Sequence, residues 1–189
     1  MKFLLTPKEK RLFLEQREML VDDFFSEKDL PTLLSGDEVA YDLFRTHPDV
    51  LKLLKNKNLL ALLTDLTNIS PLRIAADEIV TRPHRFQTNV PFEKQFCLQG
   101  LHIAFLLCLK APDENQTPLK EGSLLIFQTH RLIDLSLFVQ EHGLYYLACY
   151  GQDALIFRDC QSDPHHNVLR KLNQNLGDRL TNATHPLIF

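Results

Sequence analysis

Apolar and polar positions follow two different periods along this chain, and the change from one to the other falls near Pro71. Before that point the helical spacing prevails. Thr6-Pro7-Lys8-Glu9 has the form of a capping box with proline at the first helical position, and Leu12, Phe13, Met19 and Leu20 then recur at helical spacing. Ser26-Glu27-Lys28-Asp29 offers a second N-cap after the extended run MLVDDFF. Residues 37–46 and 48–66, divided at His47-Pro48, continue the helical pattern to Ser70-Pro71.

Beyond Pro71 the pattern becomes short apolar runs separated by turn residues: LRIAADEIV, LHIAFLLCL, GSLLIF, LYYLACY, DALIF and the terminal HPLIF. These predict strands. A parallel crossover needs roughly a dozen or more residues, usually as a helix, and the gaps are too tight for a regular β-α-β alternation. The pattern therefore predicts an antiparallel sandwich or barrel covered by the N-terminal helices. APDENQTPLKEG (111–122) reads as a hairpin loop, and QTHRLIDLSLFVQEHG (128–143) as a short helix or an irregular connection. With no repeat and no linker, the prediction is one α+β domain over 1–189: a mainly helical part over 1–70 and a β-rich core over 71–189.

Composition narrows the function classes. Hydrophobic residues at 44% and charged residues at 24% suit a globular chain. The net charge of −3, with no stripe of Lys or Arg, excludes nucleic acid as an expected partner. The apolar patch of MKFLLTPKEK is too short for a signal peptide or a membrane span, so the expectation is a cytoplasmic protein that does not engage the membrane. Cys97, Cys108, Cys149 and Cys160 lie far apart, without the close pairs of a metal knuckle, and are read as reduced structural thiols.

Eight histidines are the main chemical resource. A mononuclear iron site of the facial-triad kind needs two imidazoles and a carboxylate, and on a strand the short component is His-x-Asp or His-x-Glu, whose side chains share one face. No histidine of the strand half is followed two residues later by an acid; after His84 that position holds Phe86. His165 and His166 follow Asp163-Pro164, with Arg179 downstream in GDRL. In one reading an imidazole holds metal and the Arg179 fork holds a carboxylate. In the other, the segment is a solvated turn and Arg179 pairs with a surface acid. His185 reads as packed or capping, His102 as a core or rim residue, and the acids of VDDFF and AADEIV as solvated or capping groups. The sequence holds no Gly-x-Ser-x-Gly and no His-Glu-x-x-His, and its six glycines form no phosphate-cradling loop.

The order of segments resembles the phytanoyl-CoA dioxygenase family, Fe(II)- and 2-oxoglutarate-dependent oxygenases built on a double-stranded β-helix, a jelly-roll-like fold. The opening LTPKEKRLFLEQREMLVDDFFSEKDLPTLL is similar to the family's helix, short strand and helix, and GQDALIFRD is similar to its Gly-Asp-led strand. The resemblance implies His165 or His166 as the distal metal ligand and Arg179 as the 2-oxoglutarate anchor. It places the proximal ligand at His84, where the companion acid is missing. In this respect the chain resembles bacterial members of the fold that have lost the metal triad. Two functions follow as expectations. One is a non-catalytic binding or interaction module for a small molecule or a protein, with no tightly bound cofactor. The other is an active oxygenase in which His84 and His165 or His166 hold Fe(II) and Arg179 holds 2-oxoglutarate. The missing acid favours the first.

Overall fold

The computed structural model describes residues 5–30, 41–82, 86–112 and 118–188. The first helix, α1 (Pro7–Gln16), starts as its sequence dictates: the Thr6 hydroxyl accepts from the Glu9 N–H, and the Glu9 carboxylate accepts from the Thr6 N–H at 2.7 Å. It stops at Arg17, which turns into the left-handed region at φ 61°. Met19 and Leu20, expected on the helix face, thus belong to strand β1 (Glu18–Val21).

The helical stretch expected over 48–66 is two helices, α2 (Pro48–Leu54) and α3 (Lys57–Thr67). Asn56 divides them because its side chain accepts from the N–H groups of Asn58 and Leu59 and so caps the second. The expected 37–46 helix lies partly outside the described residues, and its end is a single 3-10 turn over Leu43–Arg45.

The strands are β2 (Leu72–Val80), β3 (Leu98–Lys110), β4 (Leu124–Gln128), β5 (Leu144–Phe157) and β6 (Leu187–Ile188). LYYLACY and DALIF, read separately above, form the single long β5. Among the described residues they build one antiparallel sheet in the order β1-β4-β3-β5-β2-β6. The protein is thus a mixed α/β structure. One sheet face is covered by the helices, through Phe13, Phe44, Val50, Leu54, Leu59 and Leu63. The other is covered by loops, by 3-10 turns and by a fourth helix, α4 (His165–Lys171), through Phe86, Phe92, Phe96, Leu135 and Leu169. The DPHHN segment was expected as a turn or a strand flank; it leads into this helix instead.

Candidate buried acid and histidine cluster

Strand β2 is buried along its whole length, and this overturns the expectation that the acids of AADEIV are solvated: Asp77 and Glu78 are each 1% exposed. A register shift against β5 between Ile74 and Ala76 explains where they point. Leu72 and Ile74 face the helices, but beyond the bulge Ile79 takes that face while Ala76 and Val80 take the other. Asp77 therefore joins the helix side, where its carboxylate accepts from the Tyr146 hydroxyl at 2.7 Å and from the Phe44 N–H at 3.1 Å.

The outer edge of β2 supplies the second half of the cluster. Strand β6 pairs with only Leu72 and Arg73, so the edge beyond them needs other partners. Tyr41 bridges Glu78, and the Asp77 carbonyl accepts from the Asp42 N–H at 2.9 Å and from His165 Nε2 at 3.1 Å. The other imidazole nitrogen, Nδ1, lies 2.8 Å from Asp163 Oδ1. Asp163 also accepts from the N–H groups of Cys97, at 2.7 Å, and of His165 itself.

This geometry fixes the protons. A carbonyl oxygen only accepts, so Nε2 donates; a carboxylate receiving two backbone N–H bonds is held as the anion, so Nδ1 donates as well. His165 is then an imidazolium paired with Asp163, packed between the rings of Tyr41 and Phe96 at 5.7 and 6.0 Å. Burial pushes Asp77 up to about 7, with the charge of Asp42 adding to the rise and the Tyr146 hydroxyl opposing it. A second buried cluster lies at the start of β2, where Arg73 is held by Asn182 Oδ1 at 2.9 Å, the Asp153 carbonyl at 3.1 Å, the Asp153 carboxylate and the His185 carbonyl. Burial, then the charges of Arg45 and Arg73, hold His185 neutral with its pKa down to about 2, a packed histidine as its sequence context suggested.

The other sequence-derived candidates do not converge on His165. His166 lies 3.4 Å from the Asp159 carboxylate and against the Phe157 ring. Arg179 bridges Ile156 by backbone, but its guanidinium is 60% exposed and lies 2.6 Å from Asp153 Oδ2. His84 lies outside the described residues. The one His-x-Asp triplet of the chain, His47-Pro48-Asp49, opens α2, where i and i+2 side chains do not share a face. Among the described residues no group of three His, Cys, Asp or Glu is arranged to hold a metal. No helix among them is long and apolar enough to cross a membrane.

No family model matches the sequence, and no curated protein matches it. Solved structures do. The non-heme alpha ketoglutarate dependent carbocyclase SnoK from nogalamycin biosynthesis matches 98% of this chain and 97% of its own, with a TM-score of 0.70 at 14% identity. The epimerase SnoN, in complex with Fe3+, alpha ketoglutarate and nogalamycin RO, matches 94% of this chain and 96% of its own, with a TM-score of 0.60 at 12% identity. CT296 from Chlamydia trachomatis matches 80% of this chain and 97% of its own, with a TM-score of 0.59 at 20% identity. The likeness is one of fold. The chain has the fold of iron- and 2-oxoglutarate-dependent enzymes, as its segment order suggested.

No buried role was assigned from sequence to Asp77, Asp163, Tyr146, Asp42 or Arg73. The available signal was the pair of acids inside the apolar run RIAADEIV, which a strand buried on both faces holds only if each finds a partner.

Proposed function

We propose that this chain is a divergent, non-catalytic member of the Fe(II)/2-oxoglutarate oxygenase fold, its sheet corresponding to the major sheet of a double-stranded β-helix, that serves as a binding or interaction module. The observation that carries this reading is His165. As an imidazolium donating to Asp163 and to the Asp77 carbonyl, it has no lone pair for a metal. Arg179 spends its guanidinium on Asp153 at the surface. The described residues therefore do not fit Fe(II) and 2-oxoglutarate. The aromatic filling of the sheet face opposite the helices agrees, since Phe86, at the place of the missing acid, stacks on Phe92 at 5.3 Å. A cytoplasmic setting accords with four cysteines carried as free thiols, three of them buried.

The alternative, an active oxygenase using His84, is separated by one experiment. Metal-stripped protein is given Fe(II) and 2-oxoglutarate under anaerobic conditions and its thermal unfolding followed. Saturation at about 100 times Kd would add roughly 2.7 kcal/mol to a protein that binds them. We expect no shift, and no succinate once air is admitted. A shift lost in His84→Ala, or succinate release, would establish the oxygenase.

A further inference from the structure

A polar groove of about 270 Å³ opens where β3 begins, lined by Glu93, Lys94, Gln99, His102 and Arg158 over the buried Leu98 and Leu101. Its backbone is shaped by a bulge. The β3–β5 register shifts between Gln99 and Leu101, Gly100 takes φ 99°, and a Cβ on Gly151 would stand 2.6 Å from the Gly100 carbonyl oxygen. Such close approach of two backbones requires glycine at both positions.

Arg158 is preorganised here. Its Nε donates to the Phe96 carbonyl at 2.9 Å and its Nη2 to the Glu93 carbonyl at 2.6 Å, which fixes the guanidinium and leaves Nη1 for a ligand. Lys94 has no ion-pair partner among the described residues, and it also lines a second cavity of about 110 Å³ beside Gln87, Gln95 and Ser162. Glu93 is the one acid of the lining, and its charge acts on His130. On a chain of net charge −3, this is a local reversal toward positive.

We propose that this groove binds a small organic phosphomonoester. With Nε–H and one Nη2 N–H committed to carbonyls, Arg158 keeps both Nη1 N–H groups and the second N–H of Nη2 for an anion. A guanidinium and an ammonium on one groove suit the several oxygens and double charge of a phosphate better than the single charge of a carboxylate. The volume lies just below the usual range for ligand pockets, about 300–1,000 Å³, so the organic part is short. The proposal goes beyond the reading of the iron site and stands whichever way the metal test falls.

The test is titration of the intact protein with glycerol 3-phosphate and with inorganic phosphate, at constant ionic strength, by calorimetry and by amide chemical shifts. Glycerol 3-phosphate is expected to bind saturably and more tightly than phosphate, moving the amides of Lys94 and Gln99 to His102. Lys94→Gln, a change at an exposed side chain with no partner to orphan, is expected to weaken binding by about tenfold or more, the loss of one charge-assisted hydrogen bond. Arg158→Lys, which keeps the charge but not the fixed geometry, is expected to fall between. No saturable binding, equal affinity for the two probes, or binding unchanged in Lys94→Gln would each overturn the proposal.

Discussion

His165 Nε2 lies 3.1 Å from the carbonyl oxygen of Asp77, so the first residue of α4 closes the open edge of β2. An edge strand needs its backbone groups satisfied or covered, and here the imidazolium does so while Asp163 neutralises it. It is the ring that the family resemblance assigned to iron.

His165→Ala should therefore destabilise the fold by about 3–5 kcal/mol, because it leaves the Asp163 carboxylate buried without its counter-charge. Urea unfolding measures this directly. The parent midpoint should be the same with and without a chelator; a midpoint that falls on chelation would return His165 to metal binding.

Asp77 gives the fold a pH dependence of unusual sign. Its folded pKa, near 7, lies above the unfolded value of 3.8, so between those values the native state binds the extra proton. Stability from this group is greatest below about pH 4, declines as pH rises toward 7 and is flat above it, a fall of up to about 4 kcal/mol. Asp77→Asn keeps an acceptor for Tyr146 and Phe44 but carries no charge beside Asp42. It should flatten the decline and make the variant more stable than the parent at pH 8. A parent whose stability rises from pH 5 to 7 with the slope of the variant would rule this out.

The parts of the fold that were legible in sequence are those decided within a few residues. The Thr6–Glu9 capping box and the apolar run LHIAFLLCL specify α1 and β3 through a pattern that is local in sequence. The bulge at Ile74/Ala76 turns Asp77 toward Tyr146 by pairing with β5, some seventy residues away, and no local pattern reports that. The acids of AADEIV consequently looked solvated. Likewise DPHHN carries turn residues, and only the partners of Asp163 and His165 decide that it enters a helix. Segment order, a coarse property of the whole chain, pointed to the fold; the roles of His165 and Arg179 depended on what stood opposite them.

Arg179→Ala should leave the urea midpoint close to the parent value, since the Arg179–Asp153 pair is exposed on both sides and such pairs contribute little. Arg73→Ala should lower it markedly, because Arg73 is 3% exposed and its removal orphans the carbonyl of His185 and the side chain of Asn182. Any 2-oxoglutarate-dependent stabilisation of the parent that disappears in Arg179→Ala would contradict the placement of that guanidinium at the surface.

Phe86→Asp restores, in sequence, the acid that a His-x-Asp site beginning at His84 would need. The structure argues that it cannot restore the site. Phe86 is 7% exposed and stacks on Phe92, which meets Phe96 at 5.1 Å and Phe127 edge-on at 4.9 Å, so the position belongs to an aromatic core. Truncating such a phenylalanine costs about 3–5 kcal/mol, and a carboxylate put in its place must also be desolvated or protonated. The variant is expected to unfold at much lower urea than the parent, most severely at neutral pH where the new acid is charged, and to gain nothing from Fe(II). Phe86→Leu, which keeps the position apolar, should lose far less. A Phe86→Asp protein that folds as well as the parent and is stabilised by Fe(II) would show that the lost acid alone had silenced a metal site, and would refute the view that the interior has been rebuilt around aromatic packing.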